Sequence, residues 1–447
     1  LFLASLVLVG GALGDHLGRR RVFSAGVVLF AAASVACGLA PGAVPLIAAR
    51  AVQGVGAALL VPGSLSLISA AYVEAARGTA IGTWSAFSAI TSAIGPLAGG
   101  WVVAHGSWRW LFFFNVPVAA VVVALARRHV VETRDETADP RMDWLGAALA
   151  TAGLGAIVYA LLEHRPLLLV VGGAALVAFV VVEARRPAPM MPLSLFRQRT
   201  FAGTNLLTFF LYAGLGGGLF FVPFDLIQVQ GYGPAAAGAA ILPFVLLVSL
   251  MSRWAGGLTA RWGARPLLIV GPLVAAGGFA LLAVPTLGGT YWSTFFPGIV
   301  VLGLGMGLTV APLTTAVMGS VAAHHAGVAS GVNNAVARAA GLLAIATLGL
   351  VVVTRFDHVL DEELARMSLP DAAARIVEAE RARLVGADLA EVGDAALRAT
   401  LRRAFADAYV AGFRASMLVS AGLGLLGALC ALWLVEPRTE VRGVIRG

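Results

Sequence analysis

The chain has 447 residues, 59% of them hydrophobic and only 12% charged. A water-soluble fold of this length has too little interior to hide so much apolar surface, so the composition excludes a soluble globular domain and implies a membrane solvent. The net charge of +8 comes from 31 basic residues, all Arg, scattered between apolar runs rather than clustered with exposed aromatics, which speaks for membrane topology and against nucleic-acid binding.

Taking ~20 apolar residues as one span, an all-α polytopic protein is expected. Its segments lie at roughly 1–13 (partial), 22–40, 45–71, 79–104, 111–130, 144–162, 166–184, 201–228, 236–260, 267–287, 293–317, 328–353 and 412–435. The chain opens on Leu1 with an apolar run too short to span, so a first helix is expected to be missing, and the intact protein would have fourteen spans. Short loops on one side carry Arg19 to Arg21, Arg77, Arg127, Arg128, Arg261 and Arg265, and the tail adds Arg438, Arg442 and Arg446. The other side has only Arg109 and Arg165. The Arg-rich side and the C-terminus are therefore expected in the cytoplasm.

Between the first two segments, Gly11 to Arg21 reads GALGDHLGRRR. Gly11 and Gly14 would allow close helix approach, and Gly18 offers the positive φ of a tight reversal. Asp15 suits the N-terminus of a neighbouring helix, and Arg19 and Arg20 suit the surface next to it, so the hairpin is expected to pin helix ends together. The plain alternative is an ordinary positively charged loop.

Further along, Arg50 lies inside the third segment, where a lipid-facing charge would be costly, and Gln53 shares its helical face at i+3. Both are candidates for proton coupling; snorkelling is the alternative for Arg50. AIGPLAGGW in the next segment places Gly95, Pro96, Gly99 and Gly100 on a kinked, small-residue helix that neighbours could approach closely. Asp225, in FFVPFDLIQ, is expected to be an interfacial carboxylate, with a proton or cation site as the second reading. Glu163, Glu183, Arg253 and Arg338 are expected near span ends, where snorkelling suffices. His324 and His325 have no ligand spacing, and Cys37 and Cys430 form neither a disulfide framework nor a metal site. The loop at about 354–411 holds eleven of the 23 acidic residues and is expected to be a solvated cap with an amphipathic helix around Asp371 to Leu384.

An internal repeat organises these pieces. GALGDHLGRR at Gly11 to Arg20 recurs as GGLTARWGAR at Gly256 to Arg265, GVGAALLV at Gly54 to Val61 as GLGMGLTV at Gly303 to Val310, and GTAIG at Gly78 to Gly82 as GVASG at Gly327 to Gly331. Such repeats, in the same order and orientation, imply two parallel halves. The expected division is 1–130 for the N-terminal half, 131–186 for two inserted spans and 187–447 for the C-terminal half.

The hairpin spacing Gly-x-Leu-x-Asp-x-x-Gly-Arg-Arg resembles the loop signature of the major facilitator superfamily, with His16 where that family usually has Arg. LIAARAVQGVGAA around Arg50 is similar to the superfamily's fourth-span motif, whose Arg is associated with proton transfer. Gly-Pro-x-x-Gly-Gly at Gly95 to Gly100 is similar to the fifth-span motif of exporters that exchange substrate against protons. Together with WRWLFFFNVP, MDWLGAAL and PLSLFRQRTF, these stretches resemble the fourteen-span drug:proton antiporters of the EmrB/QacA type. The resemblance implies a monomeric, bacterial inner-membrane antiporter exporting hydrophobic, cationic or zwitterionic small molecules against protons, with an accessory export partner allowed for. Without a Walker loop, ATP is not its direct energy source. No cofactor, metal or enzymatic role is implied. A transporter of one defined metabolite, or a membrane receptor or scaffold, remains the alternative.

Overall fold

The computed structural model describes residues 2–134, 143–163, 165–187, 189, 191–322, 325–367 and 369–437. They form an all-helical bundle in which every apolar segment read from the sequence coincides with a helix. In chain order these are α1 (Phe2–Leu17), α2 (Arg19–Leu39), α3 (Ala43–Ala71), α4 (Glu74–His105), the short α5 (Trp110–Phe113) leading into α6 (Asn115–His129), α7 (Trp144–Leu162) and α8 (Pro166–Arg185). There follow α9 (Arg199–Phe224), the short α10 (Pro234–Ala240) before α11 (Leu242–Trp262), α12 (Arg265–Leu282), the short α13 (Tyr291–Thr294) before α14 (Phe296–Gly319), α15 (Ala326–Ala365), α16 (Asp371–Glu380) and α17 (Ala395–Leu434). Ten of the described helices are long and apolar enough to cross a membrane, and Ser5–Leu17 and Trp144–Ala160 form shorter apolar helices.

Helix ends follow from local chemistry. Gly18 has φ 107° and Gly263 has φ 77°, so the matching glycines of the two repeats both supply the left-handed residue that lets one helix end and the next begin. Asp143 caps α7 by accepting from Gly146 N at 2.7 Å, and Asp394 caps α17 by accepting from Ala396 N at 2.9 Å.

The first and last groups of helices meet along two main crossings, α1 against α15 and α4 against α11. The pair α7 and α8 pack chiefly on each other and reach the rest mainly where α7 meets α1. The expected outer loop is mostly helix: α15 continues to Ala365 and α17 starts at Ala395, well beyond the expected span ends. Their extensions hold α16 around a small core of Phe356, Leu360, Val377, Leu389 and Phe405, so this region is a packed cap rather than only a solvated one. Arg381 ties it together, pairing with Asp357, Asp361 and Glu378.

Candidate functional site

The hairpin builds a clamp. Asp15 and Arg19 are each only 3% exposed. Arg19 donates to Asp15 Oδ1 from Nε at 2.9 Å and from Nη2 at 2.8 Å. The same carboxylate accepts from Gly327 N at 3.2 Å and Val328 N at 3.0 Å. These are first-turn amides of α15, which lack intrahelical acceptors, so the anion satisfies them and complements the helix dipole. Backbone contact makes this possible, since a β-carbon at Gly11 would overlap Gly327 O and one at Gly327 would overlap Gly11 O.

Other hairpin positions divide differently from expectation. A β-carbon at Gly14 would meet nothing, so Gly14 is not a close-approach residue; Gly10 is, against Ala58 O. Arg20 donates from its backbone N to Glu132 Oε1 at 3.0 Å and from Nη1 to Val130 O at 3.0 Å, which anchors the hairpin to the chain leaving α6. Glu132 also lies 3.7 Å from Arg21 Nε, and the sequence alone gave no reason to single it out.

The α4–α11 crossing repeats the packing without the charge. A β-carbon at Gly78 would lie 2.5 Å from Gly256 O, and one at Gly82 2.5 Å from Ser252 O. These glycines are the repeat partners of Gly327, Gly11 and Gly331, so the repeat generates both crossings. Helix starts differ, however: α4 begins at Glu74, so the Gly78 amide is already inside the helix, whereas α15 begins only at Ala326. Ala260 stands where the first hairpin has Asp15.

Between the halves lies a cavity of about 900 Å³ lined by Phe2, Phe30, Arg50, Gln53, Gly216, Arg338 and Gly341, among others. Arg50 donates to Gln53 Oε1 at 2.6 Å, and Gln53 donates to Ser34 Oγ at 2.9 Å. Asn115 also donates to Ser34 Oγ, at 2.9 Å. Arg50 thus heads a polar relay through α3, α2 and α6, with its guanidinium 5.9 Å from the Phe112 ring centroid. Arg338 is a correction to the snorkelling expectation. It stands twelve residues into α15, ~18 Å from the helix start, and shares the Arg50 cavity. Ser34 and Asn115 are the residues missed here; a polar side chain inside a long apolar run was the available signal.

Asp225 stands at the end of α9, as expected, but it is covered by protein. It is 1% exposed and opens a single π-helical turn, Asp225–Val229, at the end of α9. Gln230 Nε2 donates to its Oδ2 at 3.3 Å, while Oδ1 has no hydrogen-bond partner among the described residues. Among the described residues the buried hydroxyl of Tyr409 on α17 is also unpartnered. Asp225 is absent from the lining of the Arg50 cavity, so the three proton-coupling candidates do not form one cluster. Glu183 does not snorkel either: it is 2% exposed and accepts from Met191 N at 2.8 Å, next to the α7 cap.

At two of its four residues the glycine-proline stretch departs from the close packing expected. Among the described residues, a β-carbon at Gly95 would meet nothing, and one at Gly99 only Leu111 Cδ2 at 3.9 Å, so none of them packs closely on these two glycines. Pro96 and Gly100 have surroundings outside the described residues. Gly278 on α12, by contrast, lies directly against the Leu302 backbone.

The family described as the Major Facilitator Superfamily matches residues 1–345. Among similar proteins, the multidrug resistance protein Stp of Mycobacterium tuberculosis is 35% identical over 85% of this chain and 72% of its own length. The puromycin resistance protein pur8 of Streptomyces alboniger is 33% identical over 98% of this chain and 83% of its own. The fold is similar to that of the human organic anion transporter MFSD10, with a TM-score of 0.62 at 16% identity, over 96% of this chain and 81% of that one. A two-crossing helical bundle around a central cavity, with these matches, places the chain in the Major Facilitator Superfamily as a transporter rather than an enzyme.

Proposed function

We propose that the protein is a proton-coupled antiporter of the fourteen-span type, exporting hydrophobic, cationic or zwitterionic drugs across a bacterial cell membrane. The hairpin end and the C-terminus face the cytoplasm in this reading. The observation that carries it is the pairing of a closed and an open region. Asp15 and the glycine crossings hold the halves together at the hairpin end, while the Arg50–Arg338 cavity lies open between them. A rocking of one half against the other would break the first and close the second, which is alternating access.

Drug resistance proteins among the similar chains support export. Proton coupling draws its support from the Arg50–Gln53–Ser34–Asn115 relay and from the buried Asp225, because ionisable groups held at membrane depth are costly unless used. Asp225 would hold the proton at Oδ1 and release it when the surrounding π turn opens. Drug accumulation in cells with and without the full-length protein, with and without an uncoupler, tests the reading. The expected result is export that collapses with the proton gradient; uncoupler-insensitive export, or uptake, would overturn it.

A further inference from the structure

The two hairpins of the repeat differ at a pair of positions that matters chemically. Asp15 and Arg19 in the first correspond to Ala260 and Ala264 in the second. Where the first crossing holds a buried ion pair, the second holds a cavity of about 720 Å³ whose lining includes both alanines. Its lining includes Arg77 of α4 and both Arg197 and Arg199 at the foot of α9, so both halves contribute a cation. Arg199 has a structural task, donating to Trp433 O at 2.9 Å and so capping α17. The side chains of Arg77 and Arg197 make no hydrogen bond or ion pair among the described residues, and the Nε of Arg77 is buried without an acceptor. The lining has a single carboxylate, Glu436.

We propose that this cavity binds a phosphate-bearing anion, which joins the halves at the second crossing as Asp15 joins them at the first. Guanidinium forks match the oxygens of a phosphate group and bind it with charge-assisted hydrogen bonds. Gln198 stands in the same wall as a neutral donor. A buried Nε–H left without an acceptor is unfavourable, and an anion in the cavity removes that cost. Either the headgroup of an anionic phospholipid or a free phosphate presents this chemistry. The site does not rest on drug export, and its test reads binding without transport.

The full-length protein in neutral detergent is titrated with inorganic phosphate, ionic strength being held constant with sodium chloride, and its thermal unfolding is followed. In parallel it is placed in phosphatidylcholine nanodiscs with and without phosphatidylglycerol. A saturable rise in Tm is expected in at least one arm: with inorganic phosphate for a free anion, with phosphatidylglycerol for a headgroup. Arg77→Gln and Arg197→Gln should each weaken that response ~10-fold, the loss of one charge-assisted hydrogen bond. Arg197 is exposed, so its variant keeps the test valid if Arg77→Gln does not accumulate. Ala260→Asp, which supplies an internal carboxylate, should raise Tm and abolish the response. No saturable rise in either arm, a rise that sodium chloride reproduces, or one undiminished in Arg197→Gln would overturn the proposal.

Discussion

Asp15→Asn removes one charge from the clamp and almost no volume. The carboxylate accepts two bonds from Arg19 and two from α15 amides, through both of its oxygens. Asn keeps one oxygen acceptor, turns the other position into a donor and leaves Arg19 buried opposite a neutral group. Breaking a buried ion pair on one side costs ~3–5 kcal/mol. Part of that is recovered by the remaining acceptor, so ~2–3 kcal/mol is a reasonable loss for the clamped conformation. At 1.4 kcal/mol per tenfold, this shifts the clamped population by ~30- to 150-fold, comparable with the gap between two conformers. A cysteine at Ala260, in a background lacking Cys37 and Cys430, reports opening of the hairpin end through its alkylation rate. Asp15→Asn should raise that rate and slow export at normal membrane abundance. Unchanged alkylation and export at normal abundance would reduce the hairpin to a topology signal.

Arg50→Ala should damage drug-dependent proton release from proteoliposomes more than abundance, with Arg50→Lys restoring only part of it, because Lys lacks the planar fork that reaches Gln53; a fully active Arg50→Ala protein would show that the side chain merely snorkels. Gly278→Leu should lower membrane abundance sharply, since overpacking against backbone costs at least ~1–3 kcal/mol. Gly99→Leu should leave abundance near normal yet impair export or leak protons if the open α4 face seals against a neighbour in the other conformer. Comparing the two in sealed vesicles separates packing from gating; equal abundance losses would refute this reading of α4. Asp225→Asn should uncouple proton flux from export at normal abundance, and unaltered coupling would assign the proton elsewhere.

Much of the fold was legible because a membrane span needs only a long apolar run, and the helix reversals at Gly18 and Gly263 need a residue type that stands out. The repeat was more informative than any single motif, since it paired Gly11 with Gly256 and Gly78 with Gly327, the four residues at the two crossings. Less was legible for side-chain depth. Arg338 was placed near a span end because a hydropathy window locates a segment but not how far its helix continues; Asp225 does stand at the end of α9, but the window shows neither its burial nor the π turn it opens. Gly95 and Gly99 show another limit, as glycine announces a small side chain without saying what stands opposite it. The Ser34–Asn115 relay joins residues 81 positions apart, a distance over which local spacing carries no signal.

The two longest helices, α15 and α17, have 40 residues each. At 1.5 Å per residue each is ~60 Å long, about twice the thickness of the hydrocarbon core. Both belong to one side of the two crossings, so the cap they carry is a lever fixed to that half alone. A tilt of ~10° about the membrane midplane moves a point ~40 Å away by ~7 Å, simple geometry on the same helical rise. The rim of the cap therefore sweeps farther than any residue lining the cavity. A fluorophore there, paired with one on the loop between α2 and α3, would follow the rocking of the halves without touching the transport path.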